Sequence, residues 1–196
     1  MKIQTFISHS RKDTNGTTFV DKIFSGVKNT AFLYSYQGPV PPHAQTLKKE
    51  ITSKCNSLIV LLSRFLSQGK FTASWVSYEV GLAHAAGLNV WVLENIDDDP
   101  IDLPIPYVSA YVQRTKALTQ RSTFPFDFIG DFAGTVIPSI RDFGSTKGSK
   151  YIGDITCPNQ KCNAQYSVFL EKNWFFCPVC RKKFNTKNVN NIQSVR

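Results

Sequence analysis

The chain has 196 residues, of which 42% are hydrophobic and 13% are aromatic, and its formal net charge is +9. This length suits one ordinary domain and a small one, and the composition excludes a disordered chain. No apolar run is long enough to span a membrane, and the N-terminal segment lacks the apolar region of a signal peptide. We therefore expect a cytoplasmic protein with reduced thiols and no membrane partner.

The positive charge is concentrated near the C-terminus. Residues 1–145 hold 14 basic and 12 acidic residues, a net charge of +2, whereas residues 146–196 hold 9 and 2, a net charge of +7. A basic segment attracts nucleic acid or other anions, although lysines also simply solubilise a small domain. The charge alone leaves both interpretations open.

The first part of the chain alternates apolar strands with amphipathic helices. Strands are predicted at 2–7, 31–36, 57–63, 89–93 and 108–112. Helical spacing places apolar residues on one face of two intervening segments: Phe19, Ile23, Phe24 and Val27 in the first, and Leu47, Ile51 and Cys55 in the second. A third helix is predicted at 74–86, with Ser74 as its N-cap and Gly87 as the left-handed residue after it. A closing helix is predicted at 124–143.

This order of elements predicts an α/β fold with a parallel sheet and helices on both of its faces. Ligands of such sheets bind beyond the carboxyl ends of the strands. Those ends are expected at residues 8–13, 36–43, 63–73 and 94–104.

Four of the five cysteines follow a small polar segment at 144–148, the best candidate for a linker: Cys157, Cys162, Cys177 and Cys180. Their spacing, C-x4-C and C-x2-C separated by fourteen residues, is typical of a zinc ribbon built from two knuckles. Two disulfides are the alternative, which we disfavour because nothing suggests secretion. Four thiolates leave no open position for water, so the zinc would be structural.

These boundaries divide the chain into an α/β domain at 1–143, a linker at 144–150, a small β zinc ribbon at 151–187 and a tail at 188–196. Within the ribbon, residues 166–170 and 174–176 are predicted as two strands joined by the intervening turn. Cys55 lies apart from the other cysteines and is expected in the core.

Three passages resemble the TIR domains of bacteria and archaea. Phe6-Ile7-Ser8-His9-Ser10, with Asp13 after it, resembles their first strand and loop, and the apolar run 58–62 ending in Ser63 resembles their third strand. Ser74-Trp75-Val76-Ser77-Tyr78-Glu79 is similar to the helix that carries their W-x-x-x-E motif. The Pro-rich segment 37–43 departs from the family's BB loop. The resemblance covers roughly residues 1–145 and implies a flavodoxin-like sheet.

The resemblance also implies an activity, cleavage of the nicotinamide–ribose bond of NAD+ to ADP-ribose or a cyclic product. It implies activation by self-association into a homo-oligomer, and a role in anti-phage defence or stress signalling. Glu79 matches the catalytic glutamate. Phe6 and Trp75 offer rings for stacking, and Ser8 and Ser10 offer hydroxyls to the substrate. Since no G-x-G-x-x-G or P-loop motif is present, NAD+ is expected as a substrate and not as a redox cofactor.

Other interpretations remain open at this stage. By spacing alone, Glu79 fits a solvated glutamate in the first turn of a helix, and Trp75 fits core packing. The α/β domain also suits an assembly module without chemistry. The ribbon suits a sensor of nucleic acid or protein, because its aromatic run Trp174, Phe175 and Phe176 joins its basic charge.

Overall fold

A computed structural model of the chain describes residues 3–24, 30–34, 43–68, 70–114 and 150–189. The predicted helix at 124–143 and the linker at 144–149 lie outside these residues, as does most of the segment 37–43. The described part is an α/β structure with a mostly parallel sheet, as predicted. None of the helices in these ranges is long and apolar enough to cross a membrane.

Seven strands form one sheet in the order β2-β1-β3-β4-β5-β7-β6. They are β1 (Ile3–Ser8), β2 (Thr30–Tyr34), β3 (Ser57–Leu62), β4 (Asn89–Asn95), β5 (Ala110–Arg114), β6 (Lys150–Thr156) and β7 (Gln165–Leu170). Every neighbouring pair is parallel except β6 and β7. The order of the first five strands is the one found in flavodoxin-like sheets. All six residues of β3 are buried, which explains its continuous apolar sequence.

Helices cover both faces of this sheet. They are α1 (Thr14–Phe24), α2 (Ala44–Lys54), the short α3 (Arg64–Ser67) and α4 (Lys70–Ala85). On one face, α2 and α4 bury Leu47, Ile51, Val76 and Val80 against the sheet. On the other face, Phe19 and Val20 of α1 pack with residues that include Trp91. The amphipathic spacing read from the sequence thus serves two separate cores.

The start of α4 differs from the prediction. The helix begins at Lys70, so Ser74 lies inside it and is exposed. Residues 70–73 contain neither glycine nor proline, and nothing local stops the helix from starting one turn earlier. The end of the helix agrees with the prediction, because Gly87 has φ +70° and donates its backbone N–H to the carbonyl of His84.

The cysteine-rich segment is joined to the parallel sheet. Its β7 pairs in parallel with β5 and antiparallel with β6, so the hairpin β6–β7 extends the sheet. The strands predicted at 166–170 and 174–176 are both present, but they do not pair with each other. Instead β8 (Trp174–Phe176) pairs with β9 (Lys183–Asn185) in a second sheet, and a 3-10 turn at Thr186–Asn188 follows. The pairing of β7 with β5 could not be predicted from the sequence, since strands of three to six residues carry little information about their partners.

Candidate functional site

A buried carboxylate lies on α4, beside the carboxyl end of β1. The side chain of Glu79 is on the face of α4 that packs on the sheet, and the residue is only 4% exposed. Ser8, the last residue of β1 and itself fully buried, donates a short hydrogen bond from its Oγ to Glu79 Oε2. The interpretation of Glu79 as a solvated first-turn residue is therefore wrong, since it lies in the third turn of α4 and is buried.

The environment of Glu79 favours its neutral form. Burial raises the pKa of this carboxyl to about 8, and the hydrogen bond from Ser8, which favours the ionised form, offsets only part of that effect. A carboxyl whose pKa lies near neutrality can exchange its proton during a reaction at physiological pH. A buried glutamate with such a pKa at the carboxyl end of a parallel strand is a candidate functional group on physical grounds alone.

The other residues that the sequence predicted around Glu79 occupy different environments. Trp75 lies one helical turn before Glu79 on α4, is partly exposed, and contacts the ring of Tyr78 edge to face at 5.8 Å. Ser10 is 5% exposed, and its carbonyl accepts the N–H of Asp13 at 2.8 Å. Phe6 is 1% exposed and packs in the core shared with α2 and α4. The structure therefore gives Phe6 a packing role, with no exposed ring surface for stacking on a ligand.

A buried ion pair on the opposite face of the sheet was missed by the sequence reasoning. Asp13 caps the start of α1 by accepting the N–H of Gly16 at 2.8 Å, and its other oxygen lies 3.1 Å from Arg114 Nη2. A Cβ at position 16 would lie 2.5 Å from that carboxylate, so glycine is needed there. Both charged side chains are 2% exposed. Arg114, a charged residue at the end of the buried strand β5, indicated that a buried counter-charge was needed. Its partner Asp13 could not be identified from the sequence because it lies 101 residues away.

A second buried glutamate, Glu94, joins β4 to the cysteine-rich segment. The guanidinium of Arg181 forms an ion pair with its carboxylate, and Tyr111 donates its hydroxyl to Glu94 Oε2 at 2.7 Å. Arg181 also donates from Nε to the carbonyl of Ile101 at 2.8 Å. Since Arg181 follows Cys180 directly, this network connects the second cysteine knuckle to the carboxyl end of the sheet.

The four C-terminal cysteines form one cluster. Their sulfur atoms all lie within 4.8 Å of one another, and the Sγ–Sγ distances are 3.8 Å for Cys157–Cys180 and 3.9 Å for Cys162–Cys177. A disulfide needs sulfur atoms about 2.05 Å apart, so these are free thiols, and the disulfide alternative is excluded in this structure. The cluster has the ligands and the spacing to hold a metal ion.

The backbone around the cysteines forms two similar turns. The N–H of Cys162 donates to the carbonyl of Asn159, and the N–H of Arg181 donates to the carbonyl of Cys177. The residue directly after the last cysteine of each pair has a left-handed backbone, with φ of 49° at Asn163 and 57° at Arg181. Asn163 also donates its N–H to the carbonyl of Asn159, as Arg181 does to Cys177, so the two turns match and place Cys162 and Cys180 at equivalent positions.

The chain was compared with models of protein families and with functionally characterised proteins, and neither comparison gave a match. The functional assignment therefore depends on the residues and geometry described above.

Proposed function

We propose that this chain is an NAD+ glycohydrolase or cyclase of the TIR type, with Glu79 as its catalytic carboxylate. It would cleave the nicotinamide–ribose bond to give nicotinamide and ADP-ribose or a cyclic ADP-ribose. The observation that carries the proposal is the buried Glu79 carboxyl, oriented by Ser8 at the carboxyl end of β1. Open α/β sheets bind ligands at this edge, and the residues around Glu79 resemble the TIR motif.

The raised pKa of Glu79 fits a substrate with a cationic leaving group. The pyridinium ring of NAD+ is positively charged, and a nearby positive charge favours the ionised form of a carboxyl. Substrate binding would therefore shift Glu79 towards its carboxylate, which then stabilises the positive charge that develops on the ribose as the C–N bond breaks. The bonding electrons leave with neutral nicotinamide, and a water oxygen or a nucleophile of the substrate itself bonds to the ribose carbon.

We further propose that the cysteine cluster binds a structural zinc ion. Zinc–sulfur bonds of about 2.3 Å in a tetrahedron separate the sulfur atoms by about 3.8 Å. The distances of 3.8 and 3.9 Å between facing thiols agree with that value. With four thiolate ligands, the metal would supply folding stability and no reactive position.

The catalytic role is tested with Glu79→Gln, which keeps the size of the side chain and removes its ability to ionise. Purified protein is incubated with NAD+ at high concentration to favour self-association, and the products are resolved by mass. We expect a rate loss of roughly a hundredfold or more, as for other groups that stabilise transition-state charge. The matched control is Glu50→Gln, because Glu50 lies on α2 in a partly exposed ion pair with Lys54. Full turnover by folded Glu79→Gln protein would leave an assembly module without chemistry as the better assignment.

The pH dependence gives a second readout. Because the pKa of Glu79 in the free protein is about 8, kcat/KM should rise about tenfold per pH unit below that value and level off above it. Glu79→Gln should abolish this dependence in any residual activity. A rate that is flat from pH 5 to pH 9 in the wild type would contradict the assignment of Glu79.

A further inference from the structure

The outer face of the β8–β9 hairpin presents two aromatic rings away from the core. Side chains alternate along β8, and Phe175 is the inward residue, 1% exposed and in contact with Tyr111. Trp174 and Phe176 therefore lie on the opposite face, where both are partly exposed. Their rings meet edge to face, with centroids 5.7 Å apart and planes inclined at 81°.

One lysine side chain lies over these rings, and two more lysines lie at the end of the hairpin. The ammonium group of Lys183, opposite Phe176 in the strand pairing, lies 4.3 Å from the centroid of Trp174 and 5.8 Å from that of Phe176. At the other end of the hairpin, Thr186 bonds to the carbonyl of Asn173. This bond brings the next residues on each strand, the exposed Lys172 and Lys187, to the same end of the hairpin.

The surrounding segment is predominantly basic. Residues 150–189 contain seven lysines and arginines and two acidic residues. Arg181 is already paired with Glu94, and the basic groups that remain for a partner include the exposed Lys172, Lys183 and Lys187. In such a surface the cations can contact the phosphates while the partly exposed aromatic rings stack on the bases.

We propose that the face made of Trp174, Phe176 and Lys183, with Lys172 and Lys187 at the end of the hairpin, binds single-stranded nucleic acid. A single strand offers unstacked bases to the rings, whereas a duplex buries its bases in the stack and shows a side chain only its groove edges. Lys183 beside the rings, and Lys172 and Lys187 at the end of the hairpin, would contact phosphates of the strand. This inference is independent of the proposed NAD+ chemistry, since it uses a different part of the molecule.

The test uses the full zinc-loaded chain and fluorescence anisotropy with a labelled single strand of about 12 nucleotides, as RNA and as DNA. A duplex of the same sequence and labelled polyglutamate are the comparison probes. Lys183→Met keeps the apolar stem and removes the charge, Trp174→Leu removes the ring, and Lys49→Met on α2 is the matched control. Zinc content and melting temperature are measured for each variant.

We expect the single strand to bind more tightly than the duplex or polyglutamate at low salt. Trp174→Leu should weaken binding by roughly 5- to 100-fold, the usual loss for a stacking residue. Lys183→Met should reduce the slope of log affinity against log salt by about 0.7, the value for one phosphate contact on a single strand. Lys49→Met should change neither the affinity nor the salt dependence of binding. If Trp174→Leu does not fold, the exposed Lys183 carries the test alone.

Three outcomes would overturn the proposal. Equal affinity for polyglutamate would indicate attraction by charge without recognition of bases. Equal or tighter binding of the duplex would remove the stacking role of Trp174 and Phe176. Unchanged binding by folded Lys183→Met and Trp174→Leu proteins, or no binding by the wild type at low salt, would show that this face is not the site.

Discussion

Glu79 and Glu94 are two buried glutamates on the same face of one sheet, and their surroundings are opposite in character. Glu94 is 2% exposed and receives a guanidinium from Arg181 and a hydroxyl from Tyr111. Glu79 is 4% exposed, and the hydrogen bond that it accepts comes from the neutral hydroxyl of Ser8. Among the described residues no cation lowers the pKa of Glu79, which burial raises.

The comparison separates a structural carboxylate from a candidate functional one. A buried charge is tolerated when a partner neutralises it, and Glu94 with Arg181 meets that requirement. A buried carboxyl without a counter-ion is less stable in its ionised form. A cationic ligand beside it would supply the missing positive charge and favour that form. On this argument Glu94 holds the cysteine knuckle to the sheet, whereas Glu79 is the candidate functional carboxyl.

The largest expected effect is that of removing the proposed zinc ion. Cys157 and Cys177 belong to the same apolar core as Val90 and Tyr111 of the sheet, and β7 pairs with β5. Structural zinc sites contribute about 10–16 kcal/mol in small zinc domains, which equals or exceeds the net stability of an ordinary domain. We therefore expect chelation, or Cys177→Ala, to unfold the parallel sheet together with the ribbon.

Amide hydrogen exchange of β4 and β5 measures this effect strand by strand. Cys55→Ala is the control, because Cys55 is buried but lies apart from the cluster. Protection of β4 and β5 that persists after chelation would mean that the ribbon folds as an independent module, as the boundaries predicted from the sequence imply.

The next largest expected effect is the loss of stability caused by Glu94→Gln. Glu94→Gln leaves the guanidinium of Arg181, whose side chain is 7% exposed, without its counter-charge. Loss of one partner of a buried pair typically costs about 3–5 kcal/mol, so urea denaturation should show a lower free energy of unfolding by this amount. The double variant with Arg181→Met should recover most of the loss. If the double variant is as unstable as the single one, the pair is not the source of the effect.

Much of the fold was readable from the sequence because the signal is local. The run Ser57–Leu62 is apolar throughout and forms a strand buried on both faces, and Gly87 ends α4 with a positive φ. The cysteine spacing likewise predicted a cluster that can hold a metal. Each of these features depends on neighbours within a few residues.

The parts that failed depend on contacts distant in sequence. Nothing near Arg181 or Glu94 indicates that the two will meet, since they stand 87 residues apart. The burial of Glu79 was also hidden, because α4 carries apolar residues on more than one face, including the 84% exposed Phe71. Helical spacing alone could not show which face packs on the sheet.

Glu79→Gln should change the pH dependence of stability with a definite sign. The pKa of Glu79 is raised from 4.5 to about 8 in the folded state, so between these values the folded protein binds more protons than the unfolded chain. The free energy of unfolding should then fall as pH rises through this window, by on the order of 5 kcal/mol relative to Glu79→Gln, which cannot ionise. The variant should be the more stable protein above pH 8. Parallel pH profiles of the two proteins would contradict the raised pKa.

The smallest expected effect belongs to Ser8→Ala, which removes the hydroxyl that donates to Glu79. The hydrogen bond lowers the pKa of Glu79, so its loss should raise that pKa further, and the pH at which kcat/KM levels off should move upward from about 8. Stability should fall by about 1 kcal/mol, the usual net worth of one hydrogen bond. Thr5 lies on the same strand as Ser8, and its Oγ1 forms a hydrogen bond of 2.9 Å with Ser57 Oγ on β3. Deleting this hydroxyl should cost similar stability and leave the pH profile unchanged. If both variants shift the profile equally, the hydroxyl of Ser8 acts through the packing of β1 and not through the Glu79 carboxyl.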